Sequence, residues 1–482
     1  MRFLMVSGAN LKIMNGDGVH TRELACRLAA AGHQVDLVLR RYCRPPDAAP
    51  PGVEIIGLPV PKCRLPGKIL WPALVLLFVA TCLFFRWRYD VFYAREGVFE
   101  LPVILLLRRL GKKVALEVNT VMAEDLRARG RTGWMAAFAG RAQKRACAAA
   151  DVVLPVTESL AGWVMRQGAP ARRVAVVENG ADPHVYRPGV SDEAIKKLGL
   201  PSARRWFCFA GNLAPWQGVE VILEALALLR EELSTGDKDG MKERFVPAGG
   251  WGKRDSPVVC GDGGKFRTCH EDVTLPGGKN DLSDAGGAET RRYESQCGRW
   301  SRCKSGISGV GGTGTAGKSP DAGLLVVGDG PEKGALEKRT RDMGLADAVV
   351  FAGRVGYEDV PVYINACAAG IGGGWHRPAG TSAGRLAVTG SSACKVFAYL
   401  SCSVPVIVPD LPGVARLVHR EECGLVVAPG DVTGLKEAMA EVLRAPSRWA
   451  EAGCRGRTLV EREASWERRA AQVVRAVQES HL

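Results

Sequence analysis

The fold is most constrained by an alternation of short apolar runs with helical patterns, which the chain passes through twice. Such runs predict strands at 3–6, 34–39, 53–58, 91–94, 113–118 and 152–156, and again at 206–210, 324–328, 348–352, 369–372, 405–409 and 424–427. Segments such as 21–31 and 220–230 carry helical spacing between them. Strands separated by helices indicate parallel sheets covered on both faces. We therefore predict an α/β fold of two Rossmann-like, doubly wound domains that face a central cleft.

The length of 482 residues also favours two large domains. A turn-rich loop around 179–189 marks the boundary between a domain at 1–185 and a second one at 186–455. A further helical pattern at 457–477 predicts a terminal helix in 456–482. Residues 236–320 hold 19 of the 58 glycines and no sustained hydrophobic period. Because such a segment buries too little apolar area to offset its ordering entropy, we expect a disordered insertion.

The composition is globular and basic, with a net charge of +14. Such a surface favours phosphates, nucleic acid or anionic lipid, but the chain has no nucleic-acid-binding signature, so that interpretation depends on charge alone. The fifteen cysteines lack the paired spacing of a zinc site. The four cysteines of the insertion and His270 are spaced irregularly, which favours a loop over a metal site. Without a secretory pattern at the start, reduced thiols in a cytoplasmic protein are the expectation.

One segment complicates this picture. Residues 69–85 are uncharged and lie between Lys68 and a pair of arginines at 86 and 88. Three alternatives stay open: a helix buried against the sheet, a helix lying on a membrane surface, and a membrane span. A span would separate the first 68 residues from the rest of their fold, so it is the least favoured.

Glycine-rich motifs follow three of the predicted strands. Gly16 and Gly18 open the first predicted helix, where backbone N–H groups can approach an anion at the positive end of the helix dipole. The loop 210–219, with Asn212 and Gln217, repeats this arrangement at the start of the second half. Gly328 and Gly330 form a third loop, again after a strand. The alternative for each loop is a tight strand-to-helix turn without a ligand.

The segment 390–400 adds a charged element to these loops. Ser391 and Ser392 can cap a helix whose free N–H groups face an anion, and Lys395 adds a positive charge about one turn further on. A strand and an Asp-Leu-Pro-Gly turn follow at 404–413. We interpret the segment as a pyrophosphate site, with a solvated surface lysine as the alternative.

Taken in order, these motifs resemble family-4 glycosyltransferases with the GT-B fold, and the resemblance covers nearly the whole chain outside the insertion. It implies retaining transfer from a nucleoside-diphosphate sugar without an obligatory metal or cofactor. It also implies that the first domain binds a glycan or lipid-linked acceptor, that the second binds the donor, and that the terminal helix crosses back to the first domain.

Several residues depart from the family pattern. Asn212 and Gln217 are uncharged where the family usually has Arg or Lys, Gly390 and Ala398 occupy the positions of two Glu residues, and Arg416 replaces another. We hypothesise that Arg354 or Arg377 restores the missing cation.

The family's first-domain His is also missing from 116–119, where Glu117 or Asn119 could replace it. The catalytic candidates are therefore Lys395, Glu117 and Asn119, while His20 is as readily a helix-surface residue. A catalytically impaired GT-B module that binds a nucleotide sugar or a partner protein, and another GT-B activity such as a sugar-nucleotide epimerase, stay open.

Overall fold

The computed structural model describes residues 1–12, 15–43, 49, 51–60, 66–84, 89–95, 100–128, 133–235, 321–376 and 394–480. For 66–70, 72 and 82–84 it describes the backbone alone. The predicted insertion at 236–320 lies outside the described residues, as do Ser391, Ser392 and Arg377.

The first domain is built on a six-stranded parallel sheet of order β3-β2-β1-β4-β5-β6. Its strands are β1 (Arg2–Val6), β2 (Gln34–Arg40), β3 (Val53–Leu58), β4 (Val91–Arg95), β5 (Lys113–Val118) and β6 (Val152–Pro155). Its helices are α1 (Gly16–Ala30), α2 (Pro66–Phe84), α3 (Leu101–Arg109), α4 (Met122–Ala128), α5 (Trp134–Ala149) and α6 (Glu158–Arg166). One face of the sheet packs against α1, and the other packs against α2, α3 and α5.

The second domain repeats this plan with a sheet of order β12-β11-β10-β7-β8-β9, again parallel. After α7 (Ser191–Lys197), its elements in chain order are β7 (Arg204–Ala210), α8 (Val219–Thr235), β8 (Asp321–Val327), α9 (Lys333–Asp342), β9 (Val349–Gly353), α10 (Val360–Asn365), β10 (Cys367–Ile371), α11 (Cys394–Ser401), β11 (Val406–Pro409), α12 (Val414–Arg420), β12 (Gly424–Val427), α13 (Val432–Arg444), α14 (Pro446–Leu459) and α15 (Trp466–Glu479).

The prediction of two doubly wound parallel-sheet domains is therefore confirmed, and all twelve predicted strands are present with ends that differ by three residues at most. The arrangement is that of the GT-B fold. Burial of both faces explains the clear sequence signal, because central parallel strands read as nearly continuous apolar runs. The domain limits at 185 and 455 stay predictions.

The prediction of one terminal helix over 457–477 is wrong in its detail. A π-helical turn at Val460–Ala464 follows α14, and Ser465 is extended, with ψ 153°. The main chain of Ser465 pairs with Ala181, and its hydroxyl accepts a hydrogen bond from the Arg468 N–H at 3.3 Å. The helix is interrupted because the chain here crosses from the second domain to the first, where α15 packs against α1.

The apolar segment at 69–85 forms most of α2. Trp71, Val75 and Val79 are buried against the sheet, whereas Leu77 is 64% exposed. The helix therefore packs one stripe against the sheet, while its other stripe faces outward. Among the helices that the structure describes, none is both long enough and apolar enough to cross a membrane.

We predict that Trp466→Ala lowers the free energy of unfolding by about 3–5 kcal/mol, because Trp466 is only 1% exposed and the smaller side chain leaves a cavity. Urea unfolding followed by circular dichroism measures the change. The matched control is the exposed Arg468→Ala on the same helix, expected to stay within about 0.5 kcal/mol of the wild type. Equal effects of the two variants would contradict tight docking of α15.

Candidate active site

Three loops of the second domain meet at the carboxyl ends of neighbouring strands. They follow β7, β8 and β10, which lie side by side in the sheet. Gly328 has φ 140°, and a Cβ atom there would overlap the carbonyl oxygen of Gly211. A Cβ atom on Gly218, which has φ 67°, would lie 2.5 Å from the backbone nitrogen of His376, in the segment after β10. Glycine is required at both positions, because the loops touch through their backbones.

Lys395, on the first turn of α11, reaches into this junction. Its Nζ donates to Gln217 Oε1 at 2.9 Å and lies 3.8 Å from the centre of the Phe209 ring. A Cβ atom on Gly211 would be 2.7 Å from the same Nζ. Burial lowers the pKa of the Lys395 ammonium to about 7, since no described carboxylate lies against it. The junction therefore holds a desolvated cation that lacks a counterion within the described part of the chain.

The two amides predicted at the donor site lie on the loop after β7 but differ in setting. Gln217 is half-buried, and its main-chain oxygen accepts hydrogen bonds from the N–H groups of Gly374 and Trp375. Its side chain meets Lys395, so the lysine reaches the position that a cation at 217 would occupy. Asn212 is exposed and lies against Gly330.

The remaining donor-site candidates are less central. Arg354 follows β9 and is 54% exposed on its side chain, with its guanidinium 3.4 Å from Asp329 Oδ2 on the loop after β8. The N–H of Gly328 donates to Gly353 O, and that of Gly330 donates to Asp329 Oδ1. These two glycines thus serve close packing rather than offering free donors. Ser391 and Ser392 lie outside the described residues.

In the first domain, the end of β5 carries a buried carboxylate surrounded by donors. Glu117 is 2% exposed; its Oε2 accepts from Tyr93 at 2.6 Å and from His20 Nε2 at 2.9 Å. Its Oε1 accepts from Asn119 Nδ2 at 2.6 Å and lies 3.2 Å from Arg95 Nε. Burial alone would raise the pKa of Glu117, but His20 and Arg95 hold it well below its usual range. Both oxygens are occupied, which suits a group that positions its neighbours.

The alternative of His20 as a helix-surface residue is wrong, because its side chain is 3% exposed. Its Nδ1 lies 2.7 Å from Asn179 Oδ1, and its ring makes an edge contact with Trp466 at 5.2 Å. Arg469 of α15 in turn donates to the main-chain oxygen of Asn179. Sequence spacing gives no sign of this arrangement, since the partners of His20 come from β5, the domain boundary and the terminal helix.

The first glycine loop is also more occupied than its motif indicates. Gly16 begins α1 and is exposed, whereas the N–H of Gly18 donates to the Asn15 side chain at 3.0 Å. An anion at this helix start must displace the Asn15 cap. Arg95, at the end of β4, bonds the loop directly: its guanidinium donates to the Asp17 main-chain and carboxylate oxygens, each at 3.0 Å.

The two halves of the site face one another. The Cys394 thiol, next to Lys395, has its pKa raised to about 12 by burial; among the nearby charges of the first domain, Arg95 lowers this pKa, while Asp17 and Glu117 raise it. At the rim of the cleft, Arg416 donates to Glu158 at 2.5 Å. The loop junction with Lys395 and the glutamate network therefore border one cleft, although Glu117 and Asn119 do not contact Lys395.

One cluster among the described residues has metal-ligand spacing. Oxygen and nitrogen atoms of Asp182, His184 and Glu467 lie within 4.8 Å of one another. Arg27 forms ion pairs with both of the carboxylates there, at 3.1 Å to Glu467. Since the chain itself supplies the positive charge, we assign no metal to this cluster.

Comparisons with known proteins agree with this architecture. The family model described as Glycosyltransferase Family 4 matches residues 14–185, and the model described as Glycosyl transferases group 1 matches 315–445. Sucrose-phosphate synthase from Thermosynechococcus elongatus has a similar structure, with a TM-score of 0.67 at 17% identity over 98% of each chain. That likeness concerns the fold.

Among curated proteins, the chain is 38% identical over 148 residues to a GDP-mannose-dependent monoacylated alpha-(1-6)-phosphatidylinositol monomannoside mannosyltransferase of Corynebacterium glutamicum, covering 31% of this chain and 36% of that one. It is 27% identical over 222 residues to D-inositol 3-phosphate glycosyltransferase 1 of Catenulispora acidiphila, covering 44% and 52%. The matches thus span about a third to a half of these relatives.

We predict that Glu117→Gln lowers the free energy of unfolding by about 3 kcal/mol or more at neutral pH, since Arg95 then loses a buried counterion and His20 loses a charged hydrogen-bond partner. The pKa of Glu117 is depressed in the folded state, so its stabilisation is present above the ordinary value of 4.5 and is lost as pH falls below it. Urea unfolding across that range should show the difference between variant and wild type shrinking on acidification.

The matched control for this prediction is Glu124→Gln on α4, where the carboxylate is partly exposed and pairs with Arg127. A change within about 0.5 kcal/mol is expected there. A difference between Glu117→Gln and wild type that stays constant below the ordinary pKa would mean that the buried carboxylate is not held ionised.

Proposed function

Because the two halves of the chain belong to the family-4, group 1 type of glycosyltransferases, we propose that the protein transfers a sugar from a nucleoside-diphosphate sugar to a glycan or lipid-linked acceptor with retention. The observation that carries the proposal is the desolvated ammonium of Lys395 where three loops meet, opposite the acceptor half of the cleft. The reaction belongs in the cytoplasm, at the inner face of the cell membrane.

Breaking the bond from the sugar to the diphosphate develops negative charge on the leaving group, and a preorganised cation in a dry site stabilises that charge strongly. Lys395 is such a cation, and it reaches the position where Gln217 lacks a charge of its own. Arg354 on the neighbouring loop is a second, more exposed cation. With these charges supplied by the chain, we propose transfer without a metal ion or another cofactor.

The acceptor side is organised by Glu117. Because its oxygens bind His20, Tyr93, Arg95 and Asn119, it acts through its neighbours as a positioning residue. Asn119, which follows β5, is a half-buried member of this group, and we propose that its amide contacts the acceptor. The curated relatives suggest mannose as a donor sugar and inositol-bearing lipids among the acceptors to test first.

A panel of GDP-mannose, UDP-glucose and other nucleotide sugars tests the proposal directly. We expect one donor to bind, to be hydrolysed slowly on its own, and to react faster when an acceptor such as a phosphatidylinositol mannoside is present. The replacements at Gln217, Ala398 and Arg416 favour the second candidate, an impaired module. Tight binding of a nucleotide sugar without hydrolysis or transfer to any acceptor would favour that module.

We predict that kcat/KM for the donor falls as pH rises above about 7, because Lys395 must be protonated and its lowered pKa lies there in the free protein. Bound diphosphate favours the charged form, so the fall in kcat itself should lie at higher pH. Lys395→Met should lower kcat/KM by about 10²–10³-fold and abolish this fall. Lys395→Arg should move the fall in kcat/KM to a pH above the measured range, because a guanidinium stays protonated, and it should lower the rate in part.

The control is Lys338→Met, which removes a 70% exposed lysine that pairs with Asp342 on α9. It should leave both the rate and the pH profile unchanged. If Lys395→Met kept the wild-type profile, Lys395 would not be the group that neutralises the leaving diphosphate.

A further inference from the structure

Lys395 lies on the first turn of α11, a helix of eight residues whose opposite end is fully buried. The last carbonyl groups of a helix have no partners within it, so a buried helix end needs donors from elsewhere. At Ser401, the final residue of α11, Arg457 of α14 supplies them: its Nη1 donates to Ser401 O at 2.7 Å and to Ser401 Oγ at 3.3 Å. A cation at this place also suits the negative end of the helix dipole.

The same guanidinium reaches the loop at 179–189, the first of two linkers between the domains. Arg457 Nη1 also donates to Tyr186 O at 2.7 Å, and its Nη2 donates to Pro183 O at 3.1 Å. The Ser401 hydroxyl donates to the same Tyr186 oxygen at 2.6 Å. One mostly buried side chain therefore bonds the end of α11 and the first linker together through three main-chain oxygens.

The second linker, at 460–465, is bonded to the first one. The N–H of Ala181 donates to Ala464 O at 3.0 Å. A Cβ atom on Gly180 would lie 2.5 Å from the same Ala464 oxygen, so the two backbones touch. The linkers therefore cross between the domains side by side, and Arg457 lies just before the second one. We call the two linkers together the domain crossing.

The contact between α14 and α11 leaves little room for movement. A Cβ atom on Gly456 would overlap the Leu400 side chain, and one on Gly453 would overlap Ser403 O. Glycine lets α14 approach α11 this closely. Because close-packed contacts transmit a displacement instead of absorbing it, the end of α11 follows α14 and the linkers bonded to it.

Helix α11 carries this anchoring to the donor loops. With a rise of about 1.5 Å per residue, Lys395 lies roughly 9 Å along the helix from Ser401. Between them, the Tyr399 hydroxyl accepts a hydrogen bond from the Ala210 N–H at 2.6 Å, at the end of β7. With that contact as a pivot, a displacement of Ser401 tilts α11 and moves Lys395 among the donor loops.

We propose that Arg457 is a positioning residue for Lys395: by fixing the end of α11 to the linkers, it lets the domain crossing set how deeply the ammonium lies between the donor loops. The inference rests on the proposed function, in which Lys395 neutralises the leaving diphosphate. It adds that the donor chemistry of the second domain depends on the joint with the first. A misplacement of about 1 Å can lower a rate roughly a hundredfold, so this dependence has a large kinetic effect.

The titration of Lys395 reports its position without any substrate. Burial lowers the pKa of its ammonium to about 7, and the described titratable groups that face it are the thiols of Cys208 on β7 and Cys394 on α11. Arg457 is not one of them, so its replacement removes no close charge from Lys395. A change in the pKa of Lys395 then means that the ammonium has moved or gained water.

The test replaces Arg457 in the full chain and follows the lysine side chains by nuclear magnetic resonance, with the Lys395 signal assigned by its loss in Lys395→Met. In Arg457→Met we expect the pKa of Lys395 to rise from about 7 towards its ordinary value of 10.5, because the released helix end lets water reach the ammonium. The kcat/KM for the donor should fall roughly tenfold or more, and its decline with pH should move upward with the pKa.

The matched control is Arg455→Met on the same helix. Arg455 also donates to a main-chain oxygen, but it is exposed, and its acceptor is Glu422 in the turn after α12. This variant should leave both the pKa of Lys395 and kcat/KM unchanged. An unchanged titration of Lys395 in folded Arg457→Met, or an equal shift in the two variants, would overturn the proposal.

A second variant covers the case in which Arg457→Met does not fold, since that change leaves the main-chain oxygens of Ser401 and Tyr186 without a buried donor. Arg457→Lys keeps the charge but lacks the planar fork. It should fold, as urea unfolding will show, and raise the pKa of Lys395 by less than the methionine does. A wild-type titration of Lys395 in folded Arg457→Lys would then contradict the proposal.

Failure of the proposed function remains distinguishable from failure of this inference. A titration of Lys395 that follows the expected pattern, in a protein without donor turnover, would leave its coupling to the domain crossing standing while the transferase proposal fails. Donor turnover by the wild type, with a Lys395 titration indifferent to Arg457, would leave the transferase proposal intact and end this one.

Discussion

A carboxylate buried at the end of a parallel strand needs positive charge and donors from its surroundings, and much of the first domain is arranged around that need. Glu117 receives them from α1 through His20, from β4 through Tyr93 and Arg95, and from its own strand through Asn119. An unpaired charge at this depth would be strongly destabilising. Because Arg95 also pairs with Asp17, the same guanidinium fixes the glycine loop at the start of α1. These contacts hold the ends of β4 and β5, the start of α1 and the domain boundary at Asn179 in one arrangement.

In the proposed function the second domain faces the opposite problem, because its site must keep a cation ready for a diphosphate that binds and then leaves. Tight contacts between glycine loops bring Lys395 to Gln217, where burial weakens its hold on a proton. A lysine on a helix start can thus provide the charge that a loop position lacks. In the proposed function, Lys395 on α11 supplies the charge that Gln217 lacks. A comparison of position 217 alone would register only the loss of a cation.

Sequence patterns predicted the fold well because parallel strands buried on both faces leave continuous apolar runs. They also placed Lys395 on the first turn of its helix and Gln217 on the loop after β7. They left the outcome open where partners come from distant segments: His20 was as readily a surface residue, since its neighbours Glu117, Asn179 and Trp466 lie far apart along the chain. The break at Ser465 was missed because helical spacing continues on both sides of it, while the interruption follows from a main-chain pairing with the domain boundary.

The crossing at Ser465 has a consequence for the order in which the molecule can be made. Ala470 and Val473 of α15 cover part of the α1 face of the first sheet, and Trp466 closes over His20. The ribosome delivers those residues only after the strands of the second domain. The first domain therefore begins to form before the second domain but is completed after it, and its α1 face stays partly uncovered while the second domain is being synthesised. Vectorial synthesis thus makes the docking of α15 a late step in the folding of the first domain.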